Sequence, residues 1–251
     1  MANNSQLAWH DLQWCLKRCP ASVLELLKKH PDTLFVAGGF IRSCVTNERI
    51  NDIDLFAPSK DIARQYAEEL AAADSLKTIY ETDNAFTVKL KGRVMAQFIH
   101  RWTFSEPYSC IESFDFTIAC AAFWWHEINY VGGRVGGEWR SLCDDDFYAD
   151  LAGKRLVYRS PVRNEDAGGS MLRVLKFYQR GYRIPLDSLA AVIARLNAGV
   201  KEYAPGEHRY AKIVCGLLRE VDPDIDPHHV AHLSSRPETE IEVLDTDKET
   251  A

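Results

Sequence analysis

The chain has 251 residues, 30 basic and 36 acidic side chains and a net charge of −6. Hydrophobic residues make up 46% and charged residues 26%, which supports a real core and excludes a disordered polymer. No apolar run reaches the roughly 18 residues of a membrane span, and Met1 to His10 lack an apolar signal core, so a cytoplasmic protein with no membrane partner is expected.

In chain order, residues 7–30 read as helix, broken near Pro20, with Trp9 and Trp14 as packing residues. Leu34 to Ala37 is a short buried strand that runs into Gly38-Gly39, and a helix follows from Phe40 to about Asn47. Asp52 to Phe56 is a second strand, and Ser59 caps a helix over Lys60 to Ala73. Phe86 to Leu90 and Val94 to Ile99 form a hairpin pair. Phe114 to Trp125 is a long β-prone run, with Ile128 to Val131 as its partner. Gly132-Gly133 and Gly136-Gly137 mark a glycine-rich β-turn rather than a phosphate loop, since no Lys-Ser/Thr follows.

Ser141 to Leu151 is expected as a helix capped by Ser141, with Asp144-Asp145-Asp146 as its solvated first turn. Arg155 to Tyr158 is a short strand, and Ser170–Gly181, Leu186–Leu196 and Tyr210–Glu220 are helices. The order gives an α/β (α+β) fold, a mixed sheet with flanking helices followed by a small helical C-terminal part. The expected division is an N-terminal helical segment at 1–30, a head at 31–140, a helical part at 141–235 and an acidic tail at 236–251. The seven cysteines form no C-x-x-C pair and read as buried, reduced thiols. Asp222 to His232 is rich in acids and histidines, but Pro227 and Leu233 stand where a calcium loop needs Gly and Glu, so a solvated turn is the simpler reading.

Charge is uneven. Residues 236–251 hold six acids and two bases, whereas residues 154–183 hold eight bases and two acids. A basic segment on an acidic chain marks a local anion site, with either an RNA or a solvated helix face as the reading.

The chemistry concentrates in Gly38-Gly39-Phe40-Ile41-Arg42, nine intervening residues, and Asp52-Ile53-Asp54-Leu55. Side chains at i and i+2 of a strand share a face, so Asp52 and Asp54 present two carboxylates together. Such a pair suits Mg²⁺, which takes carboxylate oxygens and substrate phosphates. The paired glycines let backbone amides approach an anion at a helix start, with Arg42 one turn further on.

This constellation resembles the head-domain signature of bacterial poly(A) polymerases and class II CCA-adding tRNA nucleotidyltransferases, of the DNA polymerase β-like nucleotidyltransferase superfamily. Asp115-Phe116-Thr117-Ile118 is similar to part of a further family motif, although Ser113 and Phe114 stand where the family has two arginines. The stretch from Glu165-Asp166 through Arg173, Lys176 and Phe177 to Gly181-Tyr182 is similar to another, with Gly169 in place of its first arginine. The resemblance implies Asp52 and Asp54 as catalytic ligands of a two-ion Mg²⁺ site. It implies Gly38, Gly39 and Arg42 on the triphosphate, and Arg173 and Lys176 in the nucleotide pocket. Asp115 would position the sugar or act as a third carboxylate, and Gln97 lies where the superfamily often places that acid.

The expected function is transfer of NMP from an NTP to an acceptor hydroxyl with pyrophosphate release. The favoured acceptor is an RNA 3′-end, reached through the basic segment 154–183. A protein or small-molecule acceptor, and a catalytically degenerate nucleotide-binding module, are the alternatives. Base preference and oligomeric state are not legible.

Overall fold

The computed structural model describes residues 5–73, 78–90, 94–130, 133, 135–159 and 167–198. The expected helix at 210–220, the Asp222–His232 stretch, the acidic tail and Cys215 lie outside the described residues.

Two short helices open the chain, α1 (Trp9–Arg18) and α2 (Ala21–Lys29). Pro20 separates them: its fixed φ suits the residue just before α2, while its missing N–H ends a continuous ladder. β1 (Phe35–Ala37) leads into α3 (Gly39–Val45), and β2 (Asp52–Phe56) into α4 (Lys60–Ala73). The Ser59 side chain caps α4, accepting the Ile62 amide at 3.2 Å. β3 (Ile79–Glu81), which the sequence reading did not anticipate, pairs antiparallel with β4 (Ala85–Lys89), and β4 pairs antiparallel with β5 (Met95–Ile99).

The next region differs from expectation. Residues 114–120 are not strand: α5 (Pro107–Glu112) is followed by a bend and a 3₁₀ turn at Thr117–Ala119. The Thr117 amide donates to Val157 and the Cys120 amide to Thr117, so this backbone is satisfied outside the sheet. β6 (Ala121–Asn129) then runs unbroken through Ile128 and pairs with β7 (Val135–Cys143). Gly136 and Gly137 are therefore strand residues. A Cβ at Gly137 would fall 2.5 Å from the Trp125 indole, so the missing side chain makes room for that ring.

Ser141 belongs to β7 and caps no helix; its hydroxyl accepts the Leu7 amide at 3.2 Å. The helix that follows is the shorter α6 (Phe147–Ala152). Asp144 is buried rather than solvated, accepting the Asp146 amide at 2.9 Å and pairing with Arg159. Residues 155–158 form only single ladder pairs, Phe116 with Tyr158 and Arg155 with Arg183. α7 (Ala167–Gln179) and α8 (Leu186–Ala198) complete the described chain.

The seven strands make one mixed sheet in the order β3-β4-β5-β2-β1-β6-β7. Only β2 and β5 run parallel; the other neighbours are antiparallel. Strand alternation divides the packing into two cores. Val36, Ile53 and Leu55 point into the larger one with α1 to α4, and Phe35, Ala37 and Phe56 into a smaller one with Cys110 and Ile111 of α5. Asp52 and Asp54 share the Phe56 side of β2. Both residues are half-buried there.

Trp9 is 71% exposed, contrary to its expected packing role, and Trp14 is exposed beside Arg18. Cys15, Cys19, Cys44, Cys110, Cys120 and Cys143 are buried thiols that form no disulfide among the described residues, as expected. Among the described residues, no helix is long and apolar enough to cross a membrane.

Candidate active site

Asp52 and Asp54 stand on one face of β2 and line a cavity of about 320 Å³. The same cavity is lined by Gly38, Gly39, Arg42, Asp115, Arg173 and Lys176, so every residue singled out from the sequence as a site residue meets there. These residues come from the β1–α3 turn, α3, β2, the loop after α5, and α7.

The β1–α3 turn depends on Gly38. Its φ of +84° is left-handed backbone, which an L side chain rarely adopts. A Cβ there would sit 3.6 Å from the Phe114 ring and 4.0 Å from Asp54 Oδ2. The Gly38 amide is not directed at the cavity as anticipated, because it donates to the Ala121 carbonyl at 2.9 Å. The amides of the first turn of α3 lack intrahelical acceptors.

Asp54 is electrostatically stressed. Burial pushes its carboxyl up to about 7, and the neighbouring Asp52 charge adds to the rise; Arg42 and Arg173 oppose it. A carboxylate pair of this kind suits a divalent cation, which neutralises the mutual repulsion. Two carboxylates are enough for Mg²⁺, because substrate phosphates and water complete its shell. Among the described residues, no three His, Cys, Asp or Glu side chains group as a metal site. Gln97 pairs in register with Asp54 across the parallel β2–β5 ladder, but it is not among the residues that line the cavity.

Arg42 is pressed under α7. Its guanidinium lies 4.8 Å from the Phe177 ring centre, and its Nε is buried with no hydrogen-bond partner. Burial lowers the Arg42 pKa, the cost of holding a cation in a dry wall. Asp115 lines the cavity but is already engaged. Its Oδ2 accepts Arg173 Nη1 at 2.6 Å and Ser170 Oγ at 3.0 Å.

The basic segment is partly paired. Arg155 bonds Asp150, Arg159 bonds Asp144, Arg173 bonds Asp115 and Arg180 approaches Glu48.

Sequence reasoning missed several lining residues: Phe56, Trp102, Phe114, Phe116, Ser170, Phe177 and Arg195. Ser170 could have been found, since it lies three positions before Arg173 on one helix. Arg195 and Trp102 reach the cavity only through long-range packing, which leaves no local signal.

The fold is that of nucleotidyltransferases. The Thermotoga maritima CCA-adding enzyme complexed with tRNA superposes with a TM-score of 0.54 at 16% identity, over 93% of this chain and 55% of that one. A CCA-adding enzyme in complex with ATP gives 0.58 at 20% identity, over 88% and 50%. A third, with CTP, gives 0.56 at 18% identity, over 93% and 54%. The chain thus spans about half the length of these solved structures. In sequence, Gabija anti-defense 2 of Bacillus phage SPbetaL7 is 35% identical over 101 residues, 40% of this chain and 24% of that protein. The family model of Gabija anti-defense 2 proteins, Gad2, matches residues 10–154. With more than half of its length matched, the chain belongs to the Gabija anti-defense 2 family.

Proposed function

We propose that the chain is a Mg²⁺-dependent nucleotidyltransferase that moves NMP from an NTP to an acceptor hydroxyl and releases pyrophosphate. The observation that carries this reading is the convergence of Asp52 and Asp54 with the Gly38-Gly39 turn, Arg42, Arg173 and Lys176 in one cavity. Bound Mg²⁺ would polarise the α-phosphate and neutralise charge on the pyrophosphate leaving group.

The chain's own residues do the rest. Asp52 and Asp54 hold the metal, as an adjacent pair on a rigid strand. The β1–α3 turn and Arg42 take the triphosphate, a polyanionic group suited to helix-start amides and a buried guanidinium. Lys176 and Arg173 line the wall contributed by α7. Asp115 acts as a positioning residue, since its Oδ2 fixes Arg173. The acceptor oxygen bonds the α-phosphorus as the bond to pyrophosphate breaks. The acceptor proton passes to solvent, because β5 offers Gln97 beside Asp54 and no carboxylate.

An RNA 3′-end is the acceptor supported by the likeness to CCA-adding enzymes. A protein or small-molecule hydroxyl is the second reading. The paired arginines of segment 154–183 and the anti-defense description of the family favour it. In that case the target would be a component of the Gabija defense.

Purified protein incubated with Mg²⁺ and each α-labelled NTP, with RNA or with Gabija components, tests both. Label transfer by the wild type and none by Asp52→Asn or Asp54→Asn is expected. Label in RNA selects the first acceptor and label in protein the second. NTP binding without transfer to any acceptor would indicate a degenerate site and overturn the enzymatic reading.

A further inference from the structure

Resting on the reading of the cavity as a nucleotide site, its side chains also bear on which base it takes. Arg195 of α8 lines the cavity, far in sequence from the motifs of the head. Its Nη1 donates to the Tyr158 hydroxyl at 3.1 Å. Tyr158 is buried, and its ring lies 5.5 Å from Phe116, another lining residue. Arg195 is therefore fixed at the Phe116 wall. Arg42 and Arg173, by contrast, act through space on Asp54 at the carboxylate end.

Among the described residues, the lining side chains set four cationic donors against three carboxylates. Arg42, Arg173, Lys176 and Arg195 only donate. Among the described residues, no Asn, Gln or Glu lines the cavity. Asp52 and Asp54 stand at the metal end. Oδ2 of Asp115, the remaining carboxylate, accepts both Ser170 and Arg173. A base whose edge offers paired acceptors suits such a wall. Guanine does so through O6 and N7, which match the fork of a guanidinium, whereas adenine presents its N6 amino donor beside N7. We infer that Arg195 is a base-reading residue and that the site selects guanine over adenine nucleotides.

The test is calorimetric titration of the full chain with GTP, ATP, CTP and UTP at one Mg²⁺ concentration, for wild type, Arg195→Gln and Tyr158→Phe. For the wild type, GTP should bind roughly tenfold or more tighter than ATP. Arg195→Gln should bring GTP to within about threefold of ATP while leaving ATP affinity in place. Tyr158→Phe removes only the anchoring hydroxyl and should lower the GTP preference part of the way, which keeps the test intact if the arginine variant fails to fold.

Equal or tighter ATP binding by the wild type overturns the inference. So does an equal loss for all four nucleotides in Arg195→Gln, which would make the residue a phosphate or fold contact. An unchanged preference in Tyr158→Phe removes the anchored geometry on which it stands. Failure of every nucleotide to bind the wild type is a separate result, which overturns the nucleotide site itself.

Discussion

Asp115, in the loop after α5, accepts a 2.6 Å charge-assisted hydrogen bond from Arg173 of α7. Ser170, one turn earlier on α7, donates to the same oxygen. The wall that carries Arg173 and Lys176 is thus pinned from below by a buried carboxylate. Asp115→Asn should cost about 1–3 kcal/mol of stability in urea unfolding. Asp115→Asn and Arg173→Gln should be non-additive, with a coupling of about 1 kcal/mol or more. Simple additivity would show that the pair is not a unit.

Asp54 should trade stability for function. Its folded carboxyl titrates at about 7, above its ordinary value of 3.8. Between those two values the folded state holds the proton more tightly than the unfolded state does. Stability therefore falls as pH rises through this window and levels off above it. Asp54→Asn removes the penalty. In the absence of divalent ions it should be more stable than wild type at pH 8, by roughly 2–5 kcal/mol, with the gain vanishing toward pH 4. Mg²⁺ should raise the melting temperature of the wild type at pH 8 and leave that of the variant unmoved. A variant no more stable than wild type at pH 8 would contradict the assigned stress.

The two glycines of the turn should respond differently. Gly38 has a φ of +84°, and a Cβ there approaches Phe114 and Asp54. Gly38→Ala should destabilise by about 1–2 kcal/mol from backbone strain alone. Gly39 begins α3, and a Cβ there would meet the Arg42 guanidinium at 3.5 Å, an ordinary contact. Gly39→Ala should stay within about 1 kcal/mol of wild type, because alanine favours the helix. Thermal unfolding of both variants measures the difference, and equal losses would refute the conformational account.

The described thiols should be inert in the native protein. Burial pushes Cys120 up to about 12 and Cys143 up to about 11 and lifts Cys19 further still, while a hydrogen bond with Cys44, and then burial, raises Cys15. The thiolate is the reactive form, so these groups should resist a thiol reagent at pH 8 until denaturant is added. Rapid native labelling at any of the six, located by peptide mass, would contradict their burial.

The sequence by itself determined the part of the site that is local. A G-G turn at the end of a strand, an arginine one turn on and an alternating Asp-Ile-Asp strand each follow from short-range geometry, and α3 and β2 form where that geometry puts them. It likewise indicated a mixed α/β sheet, since strand periodicity and capping at Ser59 are encoded within a few residues.

Tertiary structure decided the rest. Phe114 to Cys120 carries strand-like residues, yet it leaves the sheet because its amides are satisfied by turn contacts and by Val157. Ser141 has the chemistry of a cap, but β6 claims its backbone for a nine-residue ladder. The basic segment looks like an RNA surface in one dimension, whereas folding sets Asp115, Asp144 and Asp150 against its arginines. Arg195 enters the cavity beside Tyr158, whose hydroxyl accepts its Nη1 and whose ring packs near Phe116. Side chains far apart in sequence meet through packing, and no local pattern records which partner will neutralise which charge.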